Sequence, residues 1–171
     1  MTDASGQWEY MLKDVGTTIT GYAEAPSGNL VIPGELDGYT VTGIGDEAFG
    51  DCYKITSVII PDGVMSTGNW AFVNCVCLTS IRIPDNVTSI SSNAFYDCKS
   101  LTSVTIPQSV TSIGYGAFSR CDKAVLYVKE VSYAEKYATE NHISWIDATL
   151  TKITPRYAKN PLTSPIARDA A

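Results

Sequence analysis

The chain is short of most of what catalysis and metal binding require. It has one histidine, His142, in 171 residues. Any nucleophile–histidine–acid triad would have to use it. No G-x-S-x-G or H-E-x-x-H string occurs, so the nucleophile elbow and the zincin helix are both missing. No apolar run approaches the ~18–20 residues of a membrane-spanning helix. Lys and Arg number 12 against 18 Asp and Glu, for a net charge of −6. That balance does not suit nucleic acid, because phosphate binding depends on cations. The five Cys are an odd number, which excludes complete internal disulfide pairing. Residues 1–10, MTDASGQWEY, hold no basic segment followed by an apolar one, so no signal peptide is visible. A cytoplasmic protein and a chain whose leader has been removed are the two readings.

Leucine is also scarce, at 8 residues, while Val and Ile total 28 and Ser and Thr 34. That mixture favours strands over helices. With 44% hydrophobic and 18% charged residues, the chain can bury a core and is not disordered throughout. The length suits one domain, with or without a tail.

A period of 23 residues organises the middle. Residues 55–77 (ITSVIIPDGVMSTGNWAFVNCVC), 78–100 (LTSIRIPDNVTSISSNAFYDCKS) and 101–123 (LTSVTIPQSVTSIGYGAFSRCDK) align without gaps. Upstream, LVIP (30–33) and VTGIGDEAFGDCYK (41–54) form the same unit around an insertion, GELDGYT. Downstream, AVLYVKE (124–130) keeps only its strand-like start. Each full unit carries Pro (33, 61, 84, 107), Val (41, 64, 87, 110) and an AFxxC string. That string supplies Phe49, Phe72, Phe95 and Phe118, then Cys52, Cys75, Cys98 and Cys121.

One such coil cannot bury its own apolar side, so coils must stack as a solenoid. Val104, Thr105 and Ile106 alternate in, out, in, as in a half-buried strand. Pro107 then ends the strand, since it cannot donate a ladder hydrogen bond. Ala117, Phe118 and Cys121 turn inward on a short helical or irregular turn, so the Phe and Cys columns form the repeat core. About five coils are expected.

The ends read as caps. Residues 8–22 form two strands around a KDVG turn. Ser132 and Glu135 make an S-x-x-E capping box opening a helix over 132–141, with Tyr133, Ala134, Tyr137 and Ala138 on one side. Ile143, Trp145 and Ile146 suggest a last strand. The expected organisation is an N-terminal cap over 1–29, a solenoid over 30–130, a C-terminal cap over 131–147 and a Pro-containing tail over 148–171. From Thr149 onward the tail carries a net +3, leaving −9 on the rest; it reads as a linker or a poorly packed extension.

The repeat unit resembles the BspA-like leucine-rich repeats, whose units run near LTSVTIPxxVTSIGxxAFxxC. The string VSYAEKYATEN resembles that family's C-terminal closing helix. The resemblance implies a right-handed parallel solenoid. It also implies a secreted or cell-surface setting in host-associated bacteria or parasitic protozoa, and adhesion to host or cell-surface protein or glycan. Neither a cofactor nor membrane insertion is implied.

Within this frame the Cys column reads as buried, inert thiols. Cys77 lies off the column and reads as an accessible thiol, and Cys75-x-Cys77 lacks the second ligand pair of a metal site. Asn86-Val87-Thr88 is a sequon in an ordinary turn position. The candidate binding surface is the strand face. Its first outward row is Val31, Ile59, Arg82, Thr105 and Tyr127; its second is Asn29, Ser57, Ser80 and Ser103. Arg82 and Tyr127 are favoured anchor types. A second variable zone, Asn69, Trp70, Asn93 and Tyr115, precedes the AF strings. Trp70 there is either an exposed contact or a ring folded over Thr67, which stands in an Ile column. A structural spacer within a larger secreted protein is the alternative reading, and a hydrolytic enzyme a distant third.

Overall fold

The structure, a computed structural model, describes residues 1–149. The expected linker over 148–171 therefore lies almost wholly outside the described residues. The chain opens with β1 (Trp8–Lys13) and β2 (Gly16–Tyr22), an antiparallel hairpin. Gly16 sits at φ +109, and a Cβ there would come within 2.6 Å of the Thr40 carbonyl oxygen. Only glycine tolerates both conditions.

The solenoid then alternates between two sheets. β3 (Gly28–Val31) starts one of them. The GELDGYT insertion forms β4 (Glu35–Leu36), which pairs with the start of β5 (Tyr39–Ile44) as a small antiparallel ribbon. The remaining coils add β6 (Ile55–Ile59) and β7 (Ser66–Thr67), β8 (Ser80–Arg82) and β9 (Ser89–Ile90), then β10 (Ser103–Thr105) and β11 (Ser112–Ile113). β12 (Val125–Val128), α1 (Tyr133–Glu140) and β13 (Ser144–Asp147) finish the described chain. One sheet runs β3-β6-β8-β10-β12-β13, all parallel; the other runs β1-β2-β5-β7-β9-β11. The first sheet thus has six rungs rather than five coils' worth, because β13 stacks in register on β12 with Val125 opposite Ser144.

The core lies between the sheets. Val41, Val64, Val87 and Val110 are buried, as are the Ala, Phe and Cys columns. The four Phe rings stack at centroid distances of 5.2 to 5.3 Å and within 11° of parallel. That spacing follows from the strand-to-strand distance of about 4.8 Å, which sets successive coils one ring apart. Tyr22 stacks on Phe49 at 6.1 Å and Trp8 meets it edge-on at 6.2 Å, while Tyr137 of α1 closes the far end against Phe118 at 6.3 Å. The caps work by supplying aromatic lids to an aromatic ladder.

α1 begins where expected. Ser132 is its N-cap, and the Glu135 amide donates to the Ser132 hydroxyl at 3.1 Å. Ala134, Tyr137 and Ala138 are buried. Tyr133, grouped with them on periodicity, is instead 43% exposed. It occupies the first helical position, before the helix has turned onto the solenoid.

Candidate binding surface

Strand pairing brings the predicted outward residues into two continuous rows. Ser57, Ser80 and Ser103 sit opposite one another on consecutive rungs, with Asn29 before them and Val125 after. The Ser57 hydroxyl donates to Asn29 Oδ1 at 2.7 Å. In the other row Val31 pairs with Ile59, and Arg82, Thr105, Tyr127 and Ile146 follow in register. Ile146 is an addition that the expected five coils did not include. Val31 and Ile59 are more than half exposed; Arg82 is exposed, and Thr105 and Tyr127 are half-buried. Arg82 reaches Asp85 at 3.3 Å, but both side chains are well exposed. Such a surface pair adds little stability and leaves the guanidinium free to exchange partners.

The Cys column is internal. Cys75, Cys98 and Cys121 donate through Sγ to the carbonyls of Phe49, Phe72 and Phe95, each one coil back, at 3.3, 3.2 and 3.0 Å. Cys52, with only the N-terminal hairpin before it, donates to the Tyr22 hydroxyl at 3.2 Å. A donating thiol is protonated. Contacts between neighbouring thiols of the column push Cys52 and Cys98 up and Cys75 and Cys121 down. All five cysteines are free, and Cys77 alone among them is exposed.

The turns before and after each AF pair carry a second surface. Two columns in them adopt left-handed backbone. One holds Glu47, Trp70, Asn93 and Gly116; the other holds Asp51, Asn74, Asp97 and Arg120, with φ between 55° and 66° throughout. Asn, Asp and Gly tolerate that region, whereas Glu, Trp and Arg do so at a cost. The Trp70 ring leans onto Tyr96 of the next coil, edge-on at 5.5 Å. From the other side the Arg120 guanidinium lies 5.8 Å over the same Tyr96 ring and donates to its hydroxyl at 3.3 Å. Asp97 anchors the group, 3.2 Å from Arg120 and 3.1 Å from Lys99. Thr67 is buried, and its hydroxyl oxygen accepts from the Ser91 amide at 3.4 Å, so the polar residue in the Ile column has its own partner. Tyr115 is 88% exposed. Asn86 is exposed, but its amide is engaged with the Asp62 carbonyl at 2.7 Å.

Residues 29–145 match the BspA-type leucine-rich repeat model in six copies. The chain belongs to that family. Among solved structures this BspA-type protein is similar to a leucine-rich repeat protein of Bacteroides capillosus ATCC 29799, at 32% identity and a TM-score of 0.64 over 72% of this chain and 95% of that one. A leucine-rich repeat protein of Bacteroides ovatus ATCC 8483 matches at 30% identity and a TM-score of 0.61, over 74% of this chain and 37% of that one. The T. pallidum leucine-rich repeat protein matches at 26% identity and a TM-score of 0.59, over 74% of this chain and 71% of that one. No curated protein matches.

In this BspA-type chain His142 is exposed and sits just past α1 at φ 56°, a common helix C-terminal conformation. Among the described residues no cluster of three His, Cys, Asp or Glu side chains is placed to hold a metal. None of the described helices is long and apolar enough to cross a membrane. Reading the sequence singled out Trp70 but not Tyr96 and Arg120, with which it groups. The signal was present: Tyr96 stands where other coils have Gly50, Val73 and Ser119, and Arg120 ends a column otherwise of Asp and Asn.

Proposed function

We propose that this solenoid is a non-enzymatic binding module that recognises protein or glycan on a cell surface through its strand face. The observation that carries the reading is the unbroken outward row Val31, Ile59, Arg82, Thr105, Tyr127 and Ile146 over six parallel rungs. A rigid row of apolar, cationic and aromatic side chains spanning roughly 24 Å at the rung spacing is an extended contact surface of the kind solenoids use. Family membership supports a repeat module of bacterial surface-protein type, and a secreted or surface setting belongs to the same proposal. Retention on an array of host-matrix proteins and glycans tests it. Binding should weaken on the order of tenfold in Arg82→Ala or Tyr127→Ala if these are anchors; no retained ligand, or no change in either variant, overturns it.

A further inference from the structure

The six-rung sheet stops at β13, and among the described residues its last edge is bare. The Ala148 amide donates to the Val128 carbonyl at 2.8 Å, which fixes the phase of the β12–β13 ladder. In a parallel pair, alternate residues turn both backbone groups to the same neighbour. Ile146 therefore bonds to β12. The N–H and C=O of Trp145 and Asp147 point the other way, where no described residue pairs with them. The side chains show the same gap. Leu30, Val58, Ile81, Val104 and Leu126 precede Trp145 in one inward row and are all buried, whereas Trp145 is half-buried. Proteins normally pair or block such an edge.

The chain continues for 22 residues beyond Thr149, and one string in them matches the repeat. Leu162-Thr163-Ser164 is identical to Leu78-Thr79-Ser80 and Leu101-Thr102-Ser103, the strings that lead into β8 and β10. Each residue has a task there. Leu78 and Leu101 are fully buried. The Thr79 hydroxyl donates to the Thr56 carbonyl one coil back at 3.0 Å, and Thr102 to Thr79 at 3.1 Å. Ser80 and Ser103 begin the strands.

The spacing fits a further rung. Between Asp147 and Ser164 lie 16 residues, and between Val128 and Ser144 lie 15. Both exceed the dozen or so that a parallel crossover needs. Within this stretch LTKI (150–153) parallels VTSI (87–90 and 110–113). It starts 6 residues after Ser144, where Val110 follows Ser103 by 7. From Thr149 onward the chain carries +3 against −9 for the rest, so charge favours its approach to the solenoid.

We propose that residues 164–167 add to β13 as a seventh parallel rung, so that the chain's own C-terminal segment occupies this edge. Ser164 then falls opposite Ser144, and Ile166 opposite Ile146. The Trp145 amide donates to the Ser164 carbonyl, the Ile166 amide to the Trp145 carbonyl, and the Asp147 amide to the Ile166 carbonyl. Pro165 joins the inward row beside Trp145, with its nitrogen on the outer edge. That is a position where a sheet accepts proline, since no ladder bond is lost. The same proline blunts the new edge against pairing with another chain.

Proline substitutions in the full chain read this register directly. Ile166→Pro removes an amide that faces β13, whereas Ala167→Pro removes one that faces away. Amide hydrogen exchange should find Trp145 and Asp147 protected in the parent. Both should exchange faster by at least on the order of tenfold in Ile166→Pro and stay parent-like in Ala167→Pro. The Ile146 amide, bonded to β12, should exchange equally slowly in all three chains, which separates loss of the rung from loss of the fold. Free exchange of Trp145 and Asp147 in the parent overturns the proposal, as does equal behaviour of the two proline variants. Protection that disappears on dilution, together with a dimer in light scattering, also overturns it, because a second copy would then occupy the edge.

Discussion

Each column of the repeat imposes a local condition on its residues, and the exceptions are informative. Glu47 is exposed, at φ 55°, in the column where other coils have Asn93 and Gly116. Glu47→Asn should therefore stabilise the protein by about 0.5–1 kcal/mol, measurable by denaturant unfolding. Phe95 is fully buried between two parallel rings. Phe95→Ala should cost about 3–5 kcal/mol, since rigid neighbours on both sides cannot collapse into the void. The thiols divide by environment: in the folded protein a thiol reagent should label one cysteine per chain quickly, and Cys77→Ser should abolish that phase. The other four should react only on unfolding. Two or more fast thiols would contradict the buried, carbonyl-bonded column.

At the scale of elements, the strands are short because coil geometry, not strand propensity, sets their length. β8 and β10 have three residues each and hold only as rungs of a stack. The caps rest on more specific features. Ser132→Ala removes the acceptor for the Glu135 amide at the start of α1 and should cost about 1 kcal/mol, read from the denaturation midpoint. Helix and hairpin were both legible, since an S-x-x-E string and a two-strand run around a turn are short-range signals. Their aromatic lids were not. Trp8, Tyr22 and Tyr137 have no 23-residue spacing to the Phe column, and only packing reveals that they extend it.

On the whole-molecule scale the solenoid is close to one-dimensional: each coil touches chiefly its neighbours. Damage at an end should stay local, whereas damage in the middle should not. Hydrogen exchange in Tyr137→Ala should show lost protection in α1 and the last coil, with the N-terminal coils unchanged. Phe95→Ala should lower protection across the stack. Uniform loss in both variants would mean the coils unfold as one indivisible unit.

The sequence by itself determined the period, the inward columns, the parallel stack and the outward rows, including the register that puts Ser57, Ser80 and Ser103 side by side. It could do so because every coil repeats the same local requirements, and a requirement stated four times is unambiguous. Tertiary structure decided what happens where repetition stops or is broken. It made β13 a sixth rung, turned Tyr133 outward, and drew Trp70 and Arg120 from different coils onto one Tyr96 ring. Those outcomes depend on contacts between coils, or between the last coil and its cap. Each such contact occurs once, so no periodicity encodes it.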